Sequence, residues 1–462
     1  MVRPIRSGVQ LQGESAGMQW KRFGSRALAL APMALAVAFA VPASANPHEA
    51  RQRWEQLCQI RKDKLDLILP EAMRENGIDM WIVASREGHD DPNAVLLGGG
   101  YVGDIGYYVF TDRGAGRIER GTMGVGGAAF DQCPLYDLKA SPAELRAFVE
   151  ARNPKRIGIN VASEIGTADG LSHSLHEKLR ADLGADLSAR LVSAEKLVSD
   201  FRSRHTATEI AAFTRAGEYS RTITERALSS EVITPGQTTT GDVAWWMMEQ
   251  LHKEGLGNSF GIPSIYILGP GPRGPVSGDH VIQPGDLITM DWGVNFLTAF
   301  TDMKRMAYVL KAGENAPPPG VQRAFEKAVA IRQMILDVIK PGITAGEALA
   351  AVNRQVAQTP GLVLGRYDDP SADGKVSDVV IGSHSVGDLG HGSGPSMADF
   401  NPLRMTYTLR PSNFLSIELF LYTQVPEWGT RKIKIPLEDN GIVTERGLEW
   451  SYPVNSRILL VK

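Results

Sequence analysis

The chain has 462 residues, with 49 basic and 52 acidic side chains, 43% apolar and 22% charged residues, and a formal net charge of −3. That is material for two or three domains with cores of their own, and it excludes a disordered or fibrous chain. The charge balance gives no footing for nucleic acid, and one stretch alone is apolar enough to interest a membrane.

That stretch is the first element. From Ala27 to Val41 the run ALALAPMALAVAFAV is uncharged, preceded by Lys21, Arg22 and Arg26 and followed by Ala43-Ser44-Ala45. Its 15 residues fall short of the roughly 20 that a spanning helix needs. The layout predicts a bacterial-type secretory signal over residues 1–45, cut after Ala45, and a periplasmic or secreted mature chain with no membrane contact. An uncleaved anchor is the alternative, and Met18 offers a second start after a long polar lead. Cys58 and Cys133 remain in the mature chain. An oxidising compartment permits them to pair, and two separate buried thiols fit the sequence equally well.

Residues 46–205 read as an N-terminal αβ domain. Trp54 to Leu69 form an amphipathic helix that Pro70 is expected to stop, and IDMWIVAS, ending at Ser85, is a buried strand. Gly98 to Gly103 match a dinucleotide pattern by letters, but strand-like DIGYYVF follows where a helix must begin, so the glycines predict a turn. His89-Asp90-Asp91 reads as a polar loop. Ser141-Pro142-Ala143-Glu144 supplies an N-cap, a first-turn proline and a capping-box glutamate, and RIGIN at 156–160 is the next strand. Thr206 and Glu209 then cap a long helix with Ile210, Phe213 and Ile223 on one face, which opens a second domain over residues 206–462.

The second half repeats itself. Pro235-Gly236-Gln237-Thr238 before Asp242 recurs as Pro341-Gly342-Ile343-Thr344 before Glu347, each a turn delivering a threonine cap to a helix. Pro284-Gly285-Asp286 leads into LITMD, ending at Asp291, as Pro411-Ser412-Asn413 leads into FLSIE, ending at Glu418. The shared order predicts two pseudo-symmetric half-domains around one centre. Between the repeats, Trp245 to Met248 read as core packing on a helix. Gly257 to Gly261 lack the strand-before, helix-after setting of a nucleophile elbow.

Acids within such strands define the candidate site. A hairpin centred near residue 296 sets Asp291 opposite Asp302, and one centred on Trp428-Gly429 sets Glu418 opposite Glu438. Unpaired, each acid costs on the order of several kcal/mol to bury. Strand alternation sends Lys304 and Arg305 to different faces, so they are set aside as the neutralising groups. Two divalent ions held by oxygen ligands are expected instead, with His384 in VVIGSHSVG adding a nitrogen.

The settings MDWG, TDMKR, GSHSVGDLGH, SIELFLY and LEDNGIVTERG, in that order, resemble the creatinase, prolidase and aminopeptidase-P group of pita-bread metallopeptidases. The resemblance covers nearly all of the mature chain, residues 52–85 being similar to the group's N-terminal domain and FRSRHTATEI to its linker. It implies an α/β (α+β) chain with a creatinase-like N-terminal domain and a pseudo-symmetric pita-bread catalytic domain, assembled as a homodimer. It also implies a dinuclear metallo-aminopeptidase, with Mn²⁺ first and Co²⁺ or Zn²⁺ as alternatives, that cleaves peptide substrates before proline. By the same resemblance Asp291 holds one metal, His384 and Glu418 the other, and Asp302 and Glu438 bridge. Glu418 carries the proton and His391 meets the substrate carbonyl. Two ions about 3.5–4 Å apart suit hydrolysis, because they lower the pKa of a shared water and steady developing negative charge. The chain departs from the group's pattern at Gly274, where a histidine is usual, at Pro436, where an arginine is, and at Gly392, where an acid is. These departures keep open a metal-binding scaffold without peptidase activity and a creatinase-like hydrolase of a non-peptide C–N bond.

Overall fold

A computed structural model describes residues 49–268 and 280–462. The predicted signal, its cleavage site and Gly274 lie outside the described residues. Among the described residues no helix is long and apolar enough to cross a membrane.

The first helix does not stop at Pro70. It runs as Glu49–Asp63, then a π-helical turn over Lys64–Ile68, then Leu69–Glu75. The π turn resets the hydrogen-bond ladder just before Pro70. The proline then falls in the first turn of the last segment, where a missing N–H costs nothing. Beside this helix lies a six-stranded mixed sheet in the order Leu138–Ala140, Ile118–Gly126, Tyr101–Asp112, Met80–Ser85, Ile157–Ile159, Leu191–Ser193. Every residue of Met80–Ser85 is buried, as the unbroken apolar run requires. Ser141 and Thr206 both form the capping boxes their spacing predicts.

Cys58 and Cys133 form a disulfide, with Cα atoms 5.8 Å apart and a sequence separation of 75. It ties the first helix to the segment after the Ile118–Gly126 strand. Replacing both cysteines by alanine is expected to lower the unfolding free energy by about 2–4 kcal/mol, because the unfolded chain regains the freedom of the loop. Urea midpoints of the variant and parent check this, and equal midpoints would contradict it.

The connection to the second half is buried and hydrogen-bonded. Lys64 Nζ donates to the carbonyls of Arg202 at 3.2 Å and Arg204 at 2.6 Å and pairs with Glu209 at 3.3 Å. Asn413 Nδ2 donates to the Ser203 carbonyl at 2.8 Å.

The larger sheet runs in the order Leu362–Leu364, Ser377–Ile381, Phe414–Gln424, Lys432–Thr444, Met303–Val309, Leu287–Trp292, Ser264–Leu268. Its repeats share turn geometry. The residue after each of Pro235, Pro284, Pro341 and Pro411 has positive φ: Gly236 at 82°, Gly285 at 95°, Gly342 at 93° and Ser412 at 68°. A proline followed by a left-handed residue makes a type II turn. The turns also dock alike: Gly285 N–H donates to the Val309 carbonyl at 2.7 Å and Ser412 N–H to the Val443 carbonyl at 2.8 Å. One expected cap moves by a residue. Thr344 caps its helix, but in the first copy Thr239, not Thr238, does so, because the box needs the acid three positions on, at Asp242.

Period-two alternation divides the Phe414–Gln424 strand. Leu415, Ile417, Leu419 and Leu421 join the core built with the helices Pro319–Val338 and Ala345–Gln358. Ser416, Glu418, Phe420 and Tyr422 therefore face the opposite side, where the polar residues gather.

Candidate metal centre

Sheet register builds the site. Asp291 stands opposite Lys304, Lys304 opposite Glu438, and Glu438 opposite Glu418. One transverse row across the sheet thus carries an acid, a base and two acids. A second row, two residues along, is reached through Asn440, which stands opposite Ser416, and Ser416, which stands opposite His384. Asn440 also binds the Asp302 backbone, accepting from its N–H at 3.0 Å. Ser416 Oγ donates to Glu438 Oε1 at 2.6 Å and so links the rows.

This corrects the expected hairpin. Asp291 faces Lys304, not Asp302, because the hairpin tips at Leu297-Thr298, between the paired Phe296 and Ala299. Leu297 takes the positive φ the tip requires, at 58°. The direct opposition is then of unlike charges, which attract, where the expected one was of like charges. Glu418 and Glu438 do stand directly opposite each other.

Setting the basic residues aside also fails for one of them. Lys304 and Arg305 do take different faces. Arg305 pairs with Asp439 at 2.6 Å, while Lys304, two residues after Asp302 and so on its face, reaches the cluster. Lys304 Nζ lies 2.5 Å from Glu418 Oε1, 2.5 Å from Glu438 Oε2 and 3.1 Å from Asp291 Oδ2. The i, i+2 spacing was the signal that could have found it.

The remaining donor atoms converge beside the ammonium. His384 Nε2 is 3.5 Å from Glu438 Oε1 and 3.9 Å from both Glu418 Oε2 and Asp302 Oδ2, and His391 Nε2 is 3.8 Å from Asp302 Oδ2. Atoms about 2.1 Å from one shared ion lie about 3.0–3.5 Å from each other, so this spacing is close to that of a ligand set. The imidazole is oriented for it. His384 Nδ1 donates to the Ser385 carbonyl at 2.9 Å, which turns Nε2 towards the acids. His384 Nε2 and Asp302 Oδ1 are buried and have no hydrogen-bond partner among the described residues. A Cβ on Gly382 would stand 2.8 Å from Glu418 Oε2, so glycine leaves that carboxylate its room. The donors therefore fit a divalent ion on the His384 side. Asp291, Asp302 and Glu438 form a second candidate group, but Lys304 already holds Asp291 and Glu438 there.

Electrostatics follow from burial and this crowding. Burial lifts the Asp302 carboxyl well above the usual range, and the charges of Glu438 and Asp291 add to it. Burial likewise raises Asp291, against the pull of Lys304, and raises Glu418 together with the charge of Glu438. For Glu438 burial is outweighed by Lys304 and His384, which hold it below the carboxylate range. Burial opposes the Lys304 ammonium, yet Glu438, Glu418 and Asp291 outweigh it and keep the lysine charged.

The loop from His384 to His391 is anchored by a pair the sequence reading missed. Asp388 Oδ2 accepts from buried Arg202 Nε at 2.9 Å, and Asp388 Oδ1 accepts from the Ser393 N–H at 3.1 Å. A Cβ on Gly392 would stand 2.4 Å from that Oδ1, which explains why no acid follows His391. Burial works to raise the Asp388 carboxyl, but Arg202 overrides it and holds it below the ordinary range. The unfolded chain therefore takes up this proton first. The pair's stabilisation is full above about pH 4 and is lost as pH falls through the lower folded value. Urea midpoints between pH 5 and pH 2 should fall less steeply in Asp388→Asn than in the parent.

A cleft of about 730 Å³ opens on the Asp291 and Lys304 end of the row, walled by Tyr266, Tyr367, Phe420 and Pro436. Pro436 stands opposite Phe420, so the residue replacing the expected arginine is an apolar part of this wall. His391 lies beside Asp302 and His384 and does not line this cleft, its side chain 75% exposed. The rival motifs have structural uses. Ser259 Oγ donates to the Thr301 carbonyl at 2.7 Å, and Asp91 accepts from Asn93 and Asn160.

A family model for metallopeptidase family M24 matches residues 211–445. The chain belongs to that family. This M24 chain shares its α/β, pita-bread fold with solved proteins of low identity. An X-Pro aminopeptidase from Thermotoga maritima superimposes with a TM-score of 0.62 at 18% identity, covering 85% of this chain and 100% of its own. A variant of aminopeptidase P from Escherichia coli gives 0.58 at 18%, covering 85% and 94%. Prolidase from Pyrococcus furiosus gives 0.54 at 19%, covering 84% and 100%. No curated protein matches the M24 chain in sequence.

Proposed function

We propose that this chain is an exported, metal-dependent aminopeptidase that hydrolyses the bond before proline at a peptide N-terminus. The observation that carries the reading is the clustering of donor atoms around His384, with Glu418 and Glu438 in one group and Asp302 and His391 in another that shares it, beside a cleft lined by Asp291 and Lys304. The solved proteins of the same fold are named for X-Pro aminopeptidase, aminopeptidase P and prolidase, which supports the substrate class.

In this reading Asp302, His384, Glu418 and Glu438 hold the ion, Mn²⁺ before Co²⁺ or Zn²⁺. A divalent ion there supplies Lewis acidity, lowering the pKa of water and offsetting negative charge on the scissile carbonyl. Glu418 takes the proton from the attacking water and passes it to the leaving nitrogen. His391 hydrogen-bonds the substrate carbonyl from the rim. Tyr266, Tyr367 and Phe420 flank the peptide's first residues and exclude water. The domain boundary at 205/206 and a homodimer belong to the same reading. So does export, which the Cys58–Cys133 disulfide supports through the oxidising compartment it needs.

Lys304 among the carboxylates favours a second reading, a creatinase-like hydrolase of a non-peptide C–N bond or a binding scaffold. The deciding experiment offers mature protein, chelated and then supplied with Mn²⁺, Xaa-Pro dipeptides, longer peptides beginning Xaa-Pro, and creatine. Asp302→Ala and Glu418→Ala serve as controls. Metal-dependent release of the N-terminal residue, absent from both variants, is expected. Creatine hydrolysis, or binding without turnover, would move the assignment to the second reading.

A further inference from the structure

We propose that this chain binds one divalent ion rather than two, and that the Lys304 ammonium permanently fills the other cation position of the centre. The inference rests on the metal-dependent reading above but not on its substrate.

Three observations converge on it. The first is register. Lys304 stands between Asp291 and Glu438 in the row, so its stem leaves the backbone at the point where a second ion would need those two carboxylates. In the other hairpin the matching station, opposite the first acid, is Glu438. The repeat that supplies an acid in one half supplies a base in the other.

The second is charge. Counted formally, the four carboxylates Asp291, Asp302, Glu418 and Glu438 exceed the one ammonium of Lys304 by three negative charges. One divalent ion reduces the excess to a single negative charge. Two would leave a single positive charge, so position decides where the total does not: the second ion would be pressed against an ammonium held at 2.5 Å by two carboxylates.

The third is where the unsatisfied atoms lie. His384 Nε2, in a residue only 2% exposed, has no hydrogen-bond partner and lies 3.5 Å from Glu438 Oε1 and 3.9 Å from Glu418 Oε2, the second oxygens of the two carboxylates whose first oxygens hold Lys304. On the Lys304 side, Asp291 Oδ2, Glu418 Oε1 and Glu438 Oε2 each already have their cation. A carboxylate satisfied by a lysine has no reason to recruit a metal, whereas a buried imidazole nitrogen without a hydrogen-bond partner, set between two carboxylates, offers a ligand position.

The test counts ions and does not depend on turnover. Metal-stripped full-length mature protein is titrated with MnCl₂ by equilibrium dialysis, with elemental analysis and X-band EPR. One equivalent per chain and the spectrum of isolated Mn²⁺ are expected. Lys304→Ala should bind two equivalents and show a spin-coupled pair. Asp291→Asn should keep its single ion, and His384→Ala should lose it. Two equivalents or none in the parent would overturn the proposal, as would an ion lost from Asp291→Asn and kept by His384→Ala. The parent count and this last pair decide the matter even if Lys304→Ala does not fold. A chain with one ion and no action on Xaa-Pro peptides keeps this inference and fails the substrate reading. One with two ions and full activity does the reverse.

Discussion

Replacing Lys304 by methionine is expected to lower the unfolding free energy of the metal-free protein by about 3–5 kcal/mol, the usual cost of removing one partner from a buried ion pair. Methionine keeps most of the stem's volume, so the loss is electrostatic: Glu418 and Glu438 would remain buried without the ammonium that both touch. The deficit should grow between pH 5 and pH 8. Buried carboxyls without a cation hold their protons to higher pH than the same groups in the unfolded chain, so each unit of rising pH favours unfolding until they ionise. Saturating Mn²⁺ should recover much of the loss, since an ion that binds only the folded state stabilises it by mass action. Urea unfolding at both pH values, with and without Mn²⁺, measures all three effects. A metal-free variant as stable as the parent would show that the lysine is not the counter-charge of this cluster.

Glu418→Gln is expected to lower kcat on an Xaa-Pro peptide by about 10²- to 10⁴-fold, the range for losing a positioned acid–base group. Glutamine has nearly the same shape but cannot carry the proton. It also has one acceptor where the carboxylate has two, one turned to Lys304 and one to the His384 side, so metal affinity should fall as well. Rates at saturating Mn²⁺ separate the two losses. A variant that regains full kcat once the metal is saturated would make Glu418 a ligand only, and the proton carrier would have to be sought elsewhere.

Much of this protein could be read from local pattern. Capping boxes at Ser141 and Thr206 and four proline turns announced their elements because their chemistry is complete within a few residues. Acids at matching stations in apolar strands marked the centre and its half-domain repeat, since carboxylates there are too costly without compensation. Pro70 does not end the helix, because the π turn just before it places the proline in a first turn where its missing donor is not needed.

The sequence by itself determined the mixed αβ character and the face on which the carboxylates gather, which follow from alternation and turn chemistry, and the family, which the resemblance of its motif settings implied. Only the tertiary structure decided who stands opposite whom. A two-residue slip at the Leu297 hairpin leaves every side chain on its own face while exchanging Asp302 for Lys304 as the partner of Asp291. Pairing of the Met303–Val309 and Lys432–Thr444 strands then brings that lysine beside Glu438 from a distant part of the chain. The disulfide and the lack of room at Gly392 were settled in the same way, by contacts between segments that no local pattern relates. Alternation fixes a side chain's face, but its neighbours depend on register and strand order, and these are set by the packing of the whole molecule.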